Sequence, residues 1–523
     1  MNIINKRFIS ILLLAPLVLS IALIPIQPKK ASAAPTVTIT SPTEGQSISG
    51  TNFTAAGTAT PNTTVVLSSG GVGFAQTISD GSGNWSVATS LPAGNISLTA
   101  KAIQNPEYGY FPSTTDLGTF SVNRIRLSDN AINPGGGGWP LTGVPGSPII
   151  AALSPLDSTA YSFNPFYPGI PPQKIDLGGP GFNTVNGSYP STTTSSGDYN
   201  DEGTLYFSPN IDAKSLSVVD TTTNTWQQDI TFGTGSTEIT GARRSPDNKI
   251  YVSSSDKVYV VDPVSLAVIN DFNIPCQSPG LFFSKEANYP YYFINCFSDN
   301  NLYKLNRSDN ATVAAIDVGV INSFGTLSLD NKKIYVTSQI GSGSGDKIYV
   351  INNETNTLSG TIQLTAEALG AFPTPDGRYI YAATPAFTDP LVNNIDVIDL
   401  RTQTVVNNIS TDESPMLVSY DNSEALVTTT QVSFVLGATA SSNVVQKLAE
   451  TGAIGISSTL LIGVIIAITS YLYLDFRAHK KPLRAEDPHV KYTFLHHIRV
   501  VSMPRLKYRV AVTFSLSKRT TYK

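Results

Sequence analysis

The sequence predicts an all-β chain, and three observations carry that prediction. Apolar and polar residues alternate over short stretches, as in Thr36-Val37-Thr38-Ile39-Thr40 and Asn95-Ile96-Ser97-Leu98-Thr99-Ala100. That is the period-two pattern of half-buried strands. Turn formers punctuate these stretches, with 40 Gly and 34 Pro among 523 residues. A turn-plus-strand unit also recurs at steps of 41 to 46 residues, which is the period of propeller blades. With 41% hydrophobic and 14% charged residues the chain can build sizeable cores and is not wholly disordered. The expected architecture is a small β-sandwich, then a six- or seven-bladed β-propeller, plus one C-terminal transmembrane helix.

Residues 1–33 have the layout of a secretory signal. Lys6 and Arg7 precede an apolar run from Phe8 to Ile26. Ala31-Ser32-Ala33 then supplies the small residues that a signal peptidase needs. Cleavage is expected between Ala33 and Ala34.

Residues 35–125 are dense in Thr, Ser, Gly and Val and read as the β-sandwich. Gly57-Thr58-Ala59-Thr60-Pro61-Asn62-Thr63-Thr64-Val65, Asp80-Gly81-Ser82-Gly83-Asn84-Trp85-Ser86 and Leu91-Pro92-Ala93-Gly94 are similar to the immunoglobulin-like repeats of bacterial surface proteins. Trp85 is expected in the core between the sheets. Residues 126–152, with Gly135 to Gly138 and several Pro, read as a linker.

Residues 153–440 carry the repeat. Its strands are marked by Tyr161, Tyr206, Tyr251, Tyr292, Tyr335, Tyr381 and Leu426. A second strand ending in Asp or Asn follows in five of the units, as in Val258-Tyr259-Val260-Val261-Asp262. One such unit cannot bury both of its faces, so packing in a closed ring is favoured. Ser245-Pro246-Asp247-Asn248-Lys249-Ile250-Tyr251-Val252 and Thr374-Pro375-Asp376-Gly377-Arg378-Tyr379-Ile380-Tyr381 resemble the YVTN-type propeller repeat of bacterial surface proteins. That resemblance speaks to architecture and leaves the ligand open.

Residues 441–452 form a juxtamembrane linker. Its end, Leu448-Ala449-Glu450-Thr451-Gly452, is similar to the L-P-x-T-G signal that sortase cleaves, with Ala449 in the Pro position. Residues 453–474 are 22 in number and uncharged, long enough to span a bilayer as a helix. The tail 475–523 holds 12 Lys or Arg against 3 Asp or Glu. It is expected on the cytoplasmic side, against the anionic inner leaflet. The formal charge of −4 therefore conceals an acidic exterior, since residues 34–474 hold 18 basic and 35 acidic residues. Nucleic acid is not an expected partner. The expected location is the bacterial surface, as a single-pass or wall-anchored protein.

All four His (His479, His489, His496, His497) lie in the tail. The exported part therefore lacks imidazole for nucleophile activation or metal binding. Cys276 and Cys296 flank a predicted hairpin with strands Leu281–Ser284 and Tyr291–Asn295, and export favours a disulfide between them. The stretch Asp198-Tyr199-Asn200-Asp201-Glu202-Gly203 loosely resembles a calcium loop but has Pro209 where the twelfth-position Glu belongs. A solvated turn is the expectation there, and no cofactor is expected. Paired carboxylates could serve a glycosidase, but no pair stands out. The sequence thus points to a non-enzymatic surface protein that binds an extracellular protein or glycan through its propeller. A propeller enzyme acting on glycans or lactones and a structural envelope component are the alternatives.

Overall fold

The computed structural model describes residues 34–437, except 117–118, 136–137, 146–148, 165–168, 180, 190–192, 233–237, 278–279, 339–344, 386–392 and 421–424. Residues 1–33, the sorting-like motif 448–452, the apolar segment 453–474 and the basic tail lie outside the described residues. Among those described, no helix is long and apolar enough to cross a membrane.

Seven sheets of the repeat pattern stand in sequence. Blades 1 to 6 span 149–184, 198–231, 239–273, 280–317, 322–363 and 370–410, each a four-stranded antiparallel sheet running from inner to outer strand. Blade 7 is composite. Ser414–Pro415 and Ser419–Tyr420 supply its inner edge and pair with Tyr108–Asp116, followed by Thr119–Arg126 and Leu141–Val144. Two distant segments thus close the ring, which leaves no blade with an uncovered face.

The remaining strands form two sheets around one core. The larger holds Ser47–Ile48, Leu426–Leu436, Gly94–Gln104, Thr64–Ser69 and Val72–Ile78, and the smaller pairs Asn52–Thr58 with Asn84–Ser90. Phe53, Val65, Leu67, Trp85, Leu98 and Phe434 share the core between them. Gly57 is required opposite Trp85, because a Cβ there would stand 2.6 Å from the indole and 1.9 Å from the Thr38 carbonyl oxygen.

These pairings correct three expected boundaries. The strands within 108–126 belong to the propeller and not to the sandwich. The expected linker 126–152 contains the outer strand of blade 7 and the inner strand of blade 1. Leu426 marks no blade, because Leu426–Leu436 runs antiparallel to Gly94–Gln104 and completes the sandwich. The propeller is therefore an insertion, and its two ends leave from one residue pair, Gln104 and Leu426. A β-alternating stretch looks the same locally in either module, so only tertiary pairing assigns it.

The recurrent tyrosines sit between blades. Tyr161, Tyr206, Tyr292 and Tyr381 are almost fully buried. The Tyr161 hydroxyl donates to Asn224 Oδ1 at 2.8 Å, and Tyr381 to Asn130 Oδ1 at 2.6 Å. Both asparagines hold left-handed turns, at φ 53° and 61°, which Asn tolerates better than branched residues. These two bonds tie the second strand of one blade to the outer turn of the next, whereas the Tyr292 hydroxyl donates to Asn310 within its own blade.

Candidate active site

Inner strands of the blades line the channel, and the turns that follow them in blades 4, 5 and 6 meet the sandwich. Glu286 Oε2 accepts from Gly73 N at 2.5 Å and from Asn331 Nδ2 at 2.9 Å. Asn288 Nδ2 donates to the Gly70 carbonyl at 2.7 Å, and Asp376 N to Asn105 Oδ1 at 2.9 Å. The sandwich thereby covers the turn end of the channel. Between the two modules lies a cavity of about 790 Å³, within the size range of small-molecule sites.

Its wall changes character along the channel. Phe163, Phe324, Phe372, Leu369 and Leu417 cluster across the middle. Phe282 joins them by lying over Gly325, where a Cβ would come within 2.3 Å of its ring. Ser195, Ser253, Asn295 and Ser323 line the part farther from the sandwich.

Charge gathers at the sandwich end. Arg244 pairs with Asp201 at 3.1 Å. Arg243, beside it, has no carboxylate within ion-pair distance among the described residues, and its Nη1 donates only to the Ala242 carbonyl at 2.9 Å. Burial lowers its pKa, against the fields of Asp198 and Tyr206. Lys285 stands on the blade 4 turn, also without an ion pair among the described residues. Its side chain is exposed to solvent where it lines the cavity. Burial lowers its pKa; nearby Asp376 opposes this and Lys101 of the sandwich adds to it. Burial raises the pKa of Glu286, against its bonds from Gly73 and Asn331. Among the described residues, the cavity therefore offers two unpaired cations and one carboxylate without a cation partner. Such a set can hold an oxyanion and accept a proton without imidazole.

The expected site residues lie elsewhere. Cys276 and Cys296 form a disulfide with Cα atoms 5.8 Å apart, joining the segment that enters blade 4 to the end of its second strand. Ala34 is the first described residue. In the calcium-like stretch, Asp198 accepts from Tyr199 N and Arg244 N, and Asp201 pairs with Arg244. Arg243 and Lys285 stand at repeat positions whose residue varies between blades, with Thr326 and Leu329 at them in blade 5. Aligning the turns places Arg243 where Phe282 and Phe372 stand, and Lys285 where Pro246 and Pro375 stand. Nothing local distinguishes Lys101, which reaches the cavity only because the sandwich docks there.

No protein-family model matches the chain, and no curated protein does. Solved structures similar to it include a protein from Lactobacillus plantarum, at 16% identity and TM-score 0.49 over 60% of this chain and 99% of that one. A candidate 6-phosphogluconolactonase from Bacteroides fragilis follows at 15% and 0.47, over 60% and 98%. Dihydro-heme d1 dehydrogenase NirN, in complex with DHE, shows 12% and 0.43 over 59% and 64%. The expectation of a non-enzyme is corrected at its premise, which was the absence of His from residues 34–474. The error lay in treating the missing His as an exclusion, when carboxylate and cation chemistry does not require it.

Proposed function

We propose that the chain is a propeller hydrolase that opens the lactone ring of a sugar acid in the cavity between propeller and sandwich. The supporting observation is that Arg243, Lys285 and Glu286 all line this cavity and that the two cations have no ion-pair partner among the described residues. In the proposed step Glu286 takes a proton from water as the water oxygen bonds to the lactone carbonyl carbon. The oxygen that becomes negative is held by Arg243 and Lys285. Collapse breaks the ring C–O bond, the ring oxygen receives the proton, and the product is the hydroxy acid. The phenylalanines of the channel middle suit the apolar faces of a sugar ring. This reading is favoured over adhesion because the unpaired charge lies inside a cavity and not on an outer face.

The sequence supports export, one membrane span and a cytoplasmic basic tail as proposals about placement, and wall sorting at Thr451 as a further one. Mass spectrometry of the mature chain should find Ala34 at its amino terminus; a Met1 start refutes cleavage. The catalytic reading is tested by acid release from sugar lactones with the full chain. Turnover above the spontaneous rate that disappears in Glu286→Gln is expected. Binding of the sugar acid without any lactone turnover contradicts the reading.

A further inference from the structure

The sandwich does more than cover the channel. Along Gly94–Gln104, Leu98, Ala100 and Ala102 are buried in the sandwich core. The alternation of a strand puts Lys101 and Ile103 on the opposite face. That face meets the cavity, where Val66, Lys101, Ile103 and Val427 line the wall. They are neighbours across the sheet: Lys101 pairs with Val66, and Ile103 with Val427. An otherwise apolar patch thus carries one half-buried lysine, which has no ion pair or side-chain hydrogen bond among the described residues.

The same sheet seats on the proposed base. Gly73 pairs with Ser68, two residues along Thr64–Ser69 from Val66, the partner of Lys101. Gly73 N donates to Glu286 Oε2, and no side chain fits there, because a Cβ on Gly73 would stand 2.8 Å from Glu286 Oε1. Oε2 also accepts from Asn331, whereas Oε1 accepts no hydrogen bond among the described residues. The register therefore brings Lys101 to the charged end of the cavity together with the contact that fixes Glu286.

The charges that act on Glu286 are Lys101 of the sandwich and Asp330 of the blade 5 turn. Those that act on Lys285 are Asp376 of the blade 6 turn and, again, Lys101. Arg243, Arg244 and its partner Asp201 also line the cavity. A nearby cation favours the charged form of a carboxyl and disfavours that of an amine. Burial raises the pKa of Glu286, the bonds from Gly73 and Asn331 and the charge of Lys101 lower it, and Asp330 adds to the rise.

We propose that Lys101 is a positioning residue of the hydrolysis, whose ammonium keeps the Glu286 carboxylate charged so that Oε1 can take the proton from water. This rests on the hydrolase reading and gives the sandwich a part in its chemistry.

The test is the pH dependence of kcat/KM for glucose 1,5-lactone, measured on the full chain and two variants. Lys101→Met removes the charge and keeps an apolar stem beside Val66 and Ile103. Lys101→Arg keeps the charge. Loss of one positive charge makes both Glu286 and Lys285 easier to protonate, so Lys101→Met should move both limbs of the profile to higher pH, each by about half a unit. Lys101→Arg should leave both limbs in place. A rate lowered evenly by Lys101→Met, with the limbs unmoved, would mean a structural role and overturns the proposal. A raised KM with unmoved limbs would mean that Lys101 holds the substrate itself, and overturns it too. Limbs that move as far in Lys101→Arg as in Lys101→Met would show that the charge is not the cause. No turnover above the spontaneous rate by the unaltered chain defeats the hydrolase reading and this role with it, whereas turnover with unmoved limbs defeats this role alone.

Discussion

Arg243→Phe puts into blade 3 the residue that blades 4 and 6 carry at the same channel position, Phe282 and Phe372. The account expects stability and activity to move in opposite directions. Arg243 places a guanidinium on the cavity wall, where burial works against its charge and no carboxylate among the described residues pairs with it. Exchanging buried charge for well-packed apolar side chains is neutral or stabilising by about 1–4 kcal/mol, whereas breaking a true buried ion pair costs about 3–5 kcal/mol. The cavity of about 790 Å³ leaves room for the ring. Removing one oxyanion donor lowers kcat by about 10² to 10³. Urea denaturation midpoints and lactone turnover, measured on the same preparation, check both numbers. A variant that is both inactive and destabilised by about 3–5 kcal/mol would refute the reasoning, because it would show a paired structural Arg.

Other consequences are open to measurement. The pH–rate profile should be bell-shaped: the rate falls at low pH as Glu286, raised by burial, takes up its proton, and falls at high pH as Lys285, lowered by burial, loses its own. Glu286→Gln should abolish turnover outright, and Lys285→Arg should move the alkaline limb upward. Reducing Cys276–Cys296, which closes a separation of 20 residues, should cost about 3 kcal/mol, seen as a lower denaturation midpoint with dithiothreitol. An unchanged midpoint would contradict that. Phe434→Ala removes a ring that packs on Phe53 at 5.1 Å in the sandwich core and should cost about 3–5 kcal/mol. Hydrogen exchange should then show faster amides in Gly94–Gln104; unchanged protection there would contradict the pairing with the C-terminal strand.

The ring was legible because the repeat's turn and Tyr serve the same physical need in each blade. Its closure was not. Counting Leu426 as a seventh unit arrives at seven blades through the wrong strand, since blade 7 is assembled from 108–144 and 414–420. Strands of the two modules share one alternation pattern, and the pairing of Gln104 with Leu426 leaves no local trace. In the site, Arg243 and Lys285 did not stand out, because their repeat positions vary from blade to blade, with Thr326 and Leu329 at them in blade 5. Lys101 did not either, because a docked lysine is a property of packing. The count of His misled for a related reason: it tests one kind of catalytic chemistry and says nothing of a carboxylate flanked by cations.

A crystal structure of the full chain with a sugar acid bound is the most direct test. The account expects the carboxylate within hydrogen-bond distance of Arg243 and Lys285, with the ring against the channel phenylalanines. A sugar acid bound on an outer face, or a cavity that stays without it at saturating concentration, would contradict the account.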